Sequence, residues 1–217
     1  WGNRFNFDGD QAIGEALAKA AGLMVTPCDW ILEGGSIDVD GNGAAVTTID
    51  CLLNPNRNPY MSRDDIEAEL KLSLGIERTL WLGEGLKGDH TDGHVDNLAR
   101  FVAPGVLAIP EPDAPDDPNA EVYGDAWARA KDFGVTVVPM PSPGRIEIDG
   151  DVAAASYMNF YIGNAAVVVP THGAANDDAA VNALKPYFPD RVVVGLPTDH
   201  ILTGGGSFHC ISQQVPR

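Results

Sequence analysis

The last part of the chain could present a thiol to a small, flat substrate. Gly204, Gly205 and Gly206 come shortly before Cys210. Glycine permits backbone dihedrals and close approaches that side chains forbid. Cys210 is therefore a candidate catalytic nucleophile. The alternative is a structural role, because a free cysteine is commonly a buried apolar residue.

A polar cluster over residues 88–97 offers a second candidate site. His90 and His94 are four residues apart and could share a metal on a helix, but Gly93 and the neighbouring polar residues disfavour a helix. In a strand, His94 and Asp96 would point to the same face. An imidazole beside a carboxylate can move protons while the carboxylate holds a cation. An ordinary polar loop is the third interpretation.

Two further polar residues stand in unusual surroundings. Glu33 is followed by Gly34 and Gly35, so its carboxylate lies at a point where the backbone can be approached closely, although an ordinary loop carboxylate fits equally. Asn159 interrupts the apolar, aromatic segment 156–161, which we interpret as a strand. A buried amide needs hydrogen-bond partners, and Asn159 could simply satisfy backbone groups.

The elements that must position these residues alternate between strands and helices. Periodicity and turn signals predict helices over 10–21, 61–75, 125–133 and 177–187, and strands over 36–39, 44–49, 105–109, 134–140, 165–169 and 192–196. Ser62 and Asp65 form an N-terminal capping pattern for the second helix. The pattern predicts an α/β fold with a weak strand–strand–helix–strand repeat of about 40 to 50 residues.

Composition narrows the classes of function. The chain has 217 residues, 44% of them apolar, and a net charge of −17. This composition predicts a globular domain that binds no nucleic acid, since phosphate recognition needs clustered Lys and Arg. No apolar run is long enough to cross a membrane, and the negative charge would attract a cationic substrate. Three cysteines leave at least one thiol free, while Cys28 and Cys51 could pair if the protein is exported.

Six stretches of the sequence together resemble one enzyme family. They are LEGGSIDVDGNG, CLLNPNRNP, DHTDGHVDNLARFV, SYMNFYIGN, VVVPTHG and GGGSFHCISQQ. On these motifs, the chain resembles the agmatine deiminase and bacterial-type peptidylarginine deiminase family, within the guanidino-group-modifying enzymes. The stretches occur in family order and cover nearly the whole chain.

The resemblance implies a fold and a set of residue roles. The fold would be a five-bladed α/β propeller, called pentein-like, with residues 1–217 forming one catalytic domain around a central active site. The resemblance also implies that no metal or organic cofactor is needed. The implied roles are Cys210 as nucleophile, His94 as general acid–base, Glu33 as the carboxylate that orients His94, Asp96 as a guanidinium clamp, Asn159 as a substrate-pocket residue, and Gly205 and Gly206 as the point where substrate reaches the thiol.

The activity implied by the resemblance is hydrolysis of a guanidino group to a ureido product and ammonia through a covalent Cys intermediate. Agmatine, arginine and peptidyl arginine are all possible substrates. An amidinotransferase would use the same intermediate, and a non-catalytic subunit would retain only the fold. The family's polyamine-producing members favour the cytoplasm, whereas a Cys28–Cys51 pair would permit export.

One motif of the family is missing from the sequence. The family has an N-terminal portion with a Trp-x-Arg-Asp-type motif, whose aspartate is a second guanidinium clamp. Arg63 and Asp64 do not replace it, because they lie in the capped start of a predicted helix. The chain would then represent about the C-terminal two-thirds of the family fold. We expect a second polypeptide to supply the missing module.

Overall fold

Three successive units of the chain share one arrangement of strands. The computed structural model describes residues 1–5 and 7–215. In the units 37–82, 100–141 and 161–197, two antiparallel strands are followed by a helix and by a third strand that runs parallel to the second. The predicted strand–strand–helix–strand repeat is therefore confirmed. Its period was underestimated, because the connections between units lengthen the repeat to about 60 residues.

The elements alternate along the chain as the α/β prediction requires. The helices are α1 (Asp10–Ala20), α2 (Ile49–Leu52), α3 (Arg63–Leu74), α4 (Ala120–Phe133), α5 (Asp177–Leu184) and α6 (Asp199–Leu202). The strands are β1 (Ile37–Val39), β2 (Ala44–Thr48), β3 (Arg78–Leu82), β4 (Arg100–Ala103), β5 (Val106–Glu111), β6 (Thr136–Pro141), β7 (Glu147–Ile148), β8 (Asp151–Val152), β9 (Tyr161–Ile162), β10 (Ala166–Thr171) and β11 (Val192–Pro197).

The sheets within residues 1–5 and 7–215 are small and separate. Three of them have three strands each, in the orders β1-β2-β3, β4-β5-β6 and β11-β10-β9, and β7 pairs with β8 in a two-stranded ribbon. No closed sheet forms in this part of the chain. The α/β class is thus observed, and the five-bladed arrangement stays a prediction.

Buried apolar side chains hold neighbouring units together. Leu82 of β3 and Leu107 of β5 belong to one fully buried cluster, which Tyr123 of α4 also joins. Because this cluster draws on two different units, it fixes one sheet against the next. A second cluster joins Met140 of β6 to Phe160 and Val169 in the third unit. The loops that precede each unit are thereby held in constant relation to one another.

Most of the predicted elements are present, but the structure differs from the prediction in two places. The segment 156–161 is a turn that leads into β9, so the prediction of a strand through Asn159 is wrong. The amide of Met158 binds Ser156 Oγ at 3.0 Å, and this local bond turns the backbone. The strands β3 and β4, which the sequence pattern did not indicate, each begin with an arginine.

The chain contains no helix, among the residues that the structure describes, with the length and apolar character needed to cross a membrane.

The capping pattern at the N-terminus of helix α3 should contribute measurably to the stability of the protein. The Ser62 hydroxyl accepts from Asp65 N at 3.2 Å, and Asp65 Oδ2 accepts from Ser62 N at 2.8 Å, which completes a capping box. We expect Ser62→Ala to lower the free energy of unfolding by about 1 kcal/mol. Urea unfolding followed by circular dichroism measures this, with Ser73→Ala on the exposed last turn as the control. Equal effects of the two substitutions would contradict the prediction.

Candidate active site

Glu33 stands at the entrance to the first unit, directly before the 3₁₀ turn Gly34–Ser36. The Nε atom of Arg57 lies 3.1 Å from each oxygen of its carboxylate, and Nη2 lies 2.9 Å from Oε1. His94 Nε2 lies 3.8 Å from the same Oε1. Burial alone would raise the pKa of Glu33, but His94 and Arg57 outweigh burial and lower that pKa to about 2. Glu33 is therefore ionised at neutral pH.

Arg57 is a residue to which the sequence analysis gave no role. Its side chain is 0% exposed, and besides Glu33 it binds Asp92 Oδ2 through Nη1 at 2.6 Å and the carbonyl of Thr91 through Nη2 at 2.8 Å. A buried guanidinium is tolerated only when its donors are paired in this way. The one signal in the sequence was its place in the stretch CLLNPNRNP.

His94 and Asp96 lie on a 3₁₀ turn, and not on a strand as the acid–base interpretation assumed. The turn spans Val95–Asn97, and His94 caps its N-terminus. Strand geometry is prevented upstream, where Gly93 has φ 88° and Asp89 Oδ2 accepts from the amides of Gly93 at 2.9 Å and His94 at 3.0 Å. The polar residues of this loop therefore shape the backbone that carries the site.

Both side chains nevertheless lie close to Gly35. A Cβ atom at Gly35 would lie 2.5 Å from His94 Nδ1 and 2.9 Å from Asp96 Oδ2. Both distances are too short for a real contact, so the absence of a side chain at Gly35 makes room for the imidazole and the carboxylate. The prediction that His94 and Asp96 share a site is met by a different backbone geometry from the one expected.

Asp96 connects this turn to the candidate nucleophile. It is fully buried, its Oδ2 lies 2.8 Å from His209 Nδ1, and the same oxygen lies 3.4 Å from Cys210 Sγ. Burial would raise the pKa of Asp96, but His209, His94 and Arg100 lower it below its usual range. His209 was missed in the sequence, where its only distinction was its position next to Cys210.

The environment of Cys210 keeps its thiol protonated. Burial of the sulfur and the negative charge of Asp96 raise the pKa of Cys210 to about 12, although Ser207 and Asn159 act in the opposite direction. The residue as a whole is exposed, since other atoms of Cys210 face solvent. The sulfur itself is surrounded by protein groups, and the thiol therefore needs a further positive charge before it can ionise at neutral pH.

Asn159 positions the Cys210 segment from behind. Its Oδ1 accepts from His209 N at 3.0 Å and from Cys210 N at 3.2 Å, while Nδ2 donates to Asn97 Oδ1 at 3.0 Å and to Cys210 Sγ at 3.1 Å. The side chain is 0% exposed. Asn159 thus satisfies backbone amides, as one of the sequence interpretations held, and direct contact with substrate stays a prediction.

A cavity of about 250 Å³ is lined by several of the residues predicted to form the site. Glu33, His94 and Cys210 line it, whereas Asp96 and Asn159 lie behind its wall. The loop 204–206 forms another part of the wall. A Cβ atom at Gly206 would lie 2.9 Å from Cys210 Sγ, and one at Gly205, where φ is 88°, would lie 2.3 Å from His90 Nδ1. Gly206 therefore keeps the thiol uncovered, and Gly205 accommodates His90.

The structure supports neither the metal alternative considered for His90 and His94 nor the possible pairing of Cys28 with Cys51. Among the described residues, the group of at least three His, Cys, Asp or Glu side chains close enough to share an ion consists of Glu33, Cys51 and His94, and His90 is not a member. The three cysteines are free thiols, with Cys28 exposed and Cys51 buried. The suggested pairing of Cys28 with Cys51 is therefore absent.

Comparison with known proteins identifies the family of the chain. A family model described as Porphyromonas-type peptidyl-arginine deiminase matches residues 1–216. The chain belongs to this family. A relative from Marinomonas sp. (strain MWYL1), named as a candidate agmatine deiminase, is 38% identical over 244 residues, which cover 100% of this chain and 66% of the relative. The family assignment made from the six stretches is confirmed.

Solved structures of the family support the same fold. The agmatine deiminase of Enterococcus faecalis has a TM-score of 0.90 at 35% identity, covering 98% of this chain and 65% of that one. A substrate-bound agmatine deiminase variant of C. jejuni has a TM-score of 0.91 at 32% identity, covering 97% and 64%. The chain thus spans just under two thirds of the length of these family members.

Gly35 provides a test of the geometry that does not depend on activity. A side chain at Gly35 must displace His94 or Asp96, whereas a Cβ atom at neighbouring Gly34 would meet only Gln213 Oε1 at 3.4 Å. We expect Gly35→Ala to lower the free energy of unfolding by about 1 to 3 kcal/mol and Gly34→Ala to change it by less than about 0.5 kcal/mol. Urea unfolding of the two variants checks this. Similar values would show that the crowding at Gly35 is not real.

Asp96 provides a test of the cause assigned to the Cys210 pKa. Asp96→Asn removes a negative charge next to the sulfur, so the pKa of Cys210 should fall. Each pKa unit raises the thiolate fraction about tenfold and lowers intrinsic nucleophilicity about threefold, so alkylation by iodoacetamide at pH 8 should be about threefold faster per unit. Peptide mass spectrometry in a Cys28→Ser background measures the rate at Cys210. Slower alkylation in a folded Asp96→Asn protein would refute the assignment.

Proposed function

We propose that the protein hydrolyses the guanidino group of a small cationic guanidine, such as agmatine, to a ureido product and ammonia. One observation carries this proposal: a thiol, an imidazole and an ionised carboxylate from three distant segments face one small cavity, in a chain of the peptidyl-arginine deiminase family. The names of the similar solved structures point to agmatine as the first substrate to test.

Charge explains how the cavity would bind a guanidinium. Glu33 is ionised at the cavity wall, and Asp96 stands against the thiol with an Oδ1 atom that has no hydrogen-bond partner among the described residues. Carboxylates bind the N–H groups of a guanidinium with strong, directional hydrogen bonds. In the proposed complex, the side chains that cover Asp96 in the free protein move aside, so that Asp96 accepts from the substrate and holds its central carbon near Cys210.

The first half of the reaction would form a covalent intermediate on Cys210. The cationic substrate offsets the charge of Asp96, so Cys210 transfers its proton to His94 more easily, and the thiolate attacks the central guanidino carbon. A C–S bond forms and one C–N bond breaks. His94 donates a proton to the leaving nitrogen, which departs as ammonia, and Glu33 stabilises the protonated imidazole.

The second half would release the product by hydrolysis. His94, now neutral, takes a proton from a water molecule, whose oxygen attacks the carbon of the amidino-thioether. The C–S bond then breaks, the sulfur leaves as thiolate and the second proton of the water is released to solvent, so the water oxygen becomes the ureido carbonyl. The proton held by His94 returns to the Cys210 sulfur. The net change is the addition of one water and the loss of one ammonia. None of these steps requires an electron acceptor or donor.

The complete assembly is a further part of the proposal. We infer that the three observed units belong to a five-bladed propeller and that residues 1–217 act as one catalytic domain. Their common sheet order supports this, as does the greater length of the similar family members. A second polypeptide that completes the site stays a prediction, and an intact mass spectrum of the native protein would detect one at its own mass.

The decisive measurement compares two cysteine variants. Ammonia and ureido product from agmatine, arginine and a peptidyl arginine are measured for Cys210→Ser and for Cys28→Ser, whose exposed thiol does not line the cavity. We expect Cys210→Ser to lose activity by at least about 10³-fold, His94→Gln to lose about 10² to 10⁴-fold, and Cys28→Ser to keep it. An active Cys210→Ser protein would refute the covalent route.

Two outcomes would identify the alternative functions. Transfer of the amidino group to an added amine, without ammonia-releasing hydrolysis, would identify an amidinotransferase. Failure of a haloacetamidine to label Cys210, together with no turnover of any guanidine, would identify a non-catalytic subunit.

A further inference from the structure

A third thiol lies beside the candidate active site and has no part in the proposed reaction. Cys51 belongs to α2 and is 0% exposed. Thr48 caps the N-terminus of this helix, where its Oγ1 accepts from Cys51 N at 3.2 Å. Cys51 Sγ lies 3.8 Å from Glu33 Oε2. On the other oxygen of that carboxylate, His94 Nε2 lies 3.8 Å from Oε1. One carboxylate therefore connects a thiol to an imidazole.

The imidazole nitrogen in this group lacks a hydrogen bond. His94 is 5% exposed, and its Nε2 is buried without a hydrogen-bond partner in the part of the chain that the structure describes. Its separation from Glu33 is too long for a hydrogen bond. An unsatisfied buried nitrogen is costly, and it faces the two other donors of the group. This nitrogen is free to bind a cation.

The three donors suit zinc in type and nearly in spacing. Thiolate sulfur, imidazole nitrogen and carboxylate oxygen are its usual ligands, and tetrahedral bonds place donor atoms about 3.4 to 3.6 Å apart. The ligand atoms of Glu33, Cys51 and His94, one from each residue, all lie within 4.8 Å of one another. Cys51 Sγ is 3.8 Å from Glu33 Oε2, and His94 Nε2 is 3.8 Å from the other oxygen, Oε1. Modest inward movement would close the site. Because Glu33 and His94 line the cavity, a water molecule could take the fourth position.

The surrounding charges act in both directions, and the negative ones are more numerous. Burial of Cys51 and the negative charges of Glu33 and Asp89 raise the pKa of its thiol well above the usual range, whereas Arg57 lowers it. The negative charges that disfavour the thiolate favour a divalent cation at the same place, whereas burial and the amino terminus of Trp1, 3.3 Å from Glu33 Oε1, disfavour the cation. Arg57 opposes the cation, but its own charge is shared with Asp92.

We propose that Glu33, Cys51 and His94 form a zinc-binding site. On binding, the Cys51 S–H bond breaks, an S–Zn bond forms, and the proton is released to water, so affinity should rise with pH. A bound zinc ion would occupy both Glu33 and His94. Zinc would consequently inhibit the reaction, a consequence that rests on the proposed function, whereas the binding itself does not.

Cobalt(II) tests the site without an activity measurement. It accepts the same donors, and its thiolate complexes absorb in the near ultraviolet through sulfur-to-metal charge transfer. In a Cys28→Ser background, we expect one equivalent of Co²⁺ to produce this band and Zn²⁺ to abolish it. Cys210→Ser should keep the band. Cys51→Ala and Cys51→Ser should lose it, and His94→Gln should weaken Co²⁺ binding at least about tenfold while Cys51 remains in place.

The outcomes separate this site from one at the nucleophile. A band that survives in Cys51→Ala, or that disappears in Cys210→Ser, would place the metal on Cys210 and overturn the proposal. Absence of a band at saturating Co²⁺ would also overturn it. Circular dichroism confirms that each variant is folded, and His94→Gln decides the question if the Cys51 variants do not fold.

The inhibitory consequence has its own measurement. We expect the zinc concentration that halves guanidine hydrolysis to rise at least about tenfold in Cys51→Ala, relative to the metal-free activity of the same variant. An unchanged value would contradict inhibition through this site. A protein that shows the cobalt band but hydrolyses no guanidine would refute the proposed function and leave the metal site standing.

Discussion

A buried arginine holds the candidate site together. Arg57 is withdrawn from solvent, and its guanidinium binds Glu33, Asp92 and the carbonyl of Thr91. Removing such a charge from water is costly, so the pairing must offset that cost, and loss of one partner would leave the others buried and uncompensated. Arg4 makes a further ion pair with Asp92. The loop of Glu33 and the loop that leads to His94 can therefore take only positions that satisfy the same guanidinium.

The repeated units explain how residues distant in the sequence reach one cavity. Glu33 lies four residues before β1, Asp96 lies four residues before β4, and Asn159 lies two residues before β9. Each unit thus places a polar residue on the loop that enters its first strand. Since the units share one sheet order, these entering loops occupy corresponding positions. Cys210 comes from a loop beyond the third unit, and Asn159 fixes it there.

Local signals in the sequence were sufficient to predict several helices and strands and three residues that line the cavity. The capping pattern of Ser62 and Asp65 correctly identified the start of α3. The predicted strands over 36–39 and 44–49 correspond to β1 and β2. The family motifs pointed to Cys210, His94 and Glu33, which the cavity does bring together. Each of these inferences needed only neighbouring residues or a known motif.

The remainder depends on contacts between distant residues, which periodicity cannot reveal. The pairing of Arg57 with Glu33 spans 24 positions, and that of His209 with Asp96 spans 113. The strand geometry that one interpretation assumed for His94 and Asp96 does not form for a local reason, because the Asp89 side chain binds the amides that a strand would use. Asn159 was recognised as unusual, but its partners could be named only in three dimensions.

The charge balance around Cys210 makes the proposed reaction selective for cations. In the free protein, burial and Asp96 disfavour the thiolate of Cys210. A guanidinium paired with Asp96 cancels the charge that suppresses ionisation, and it brings its own positive charge near the sulfur. A neutral molecule of the same shape does neither, so the thiol stays protonated beside it. The same carboxylate would thus recognise the substrate and release the nucleophile, which would tie binding to activation.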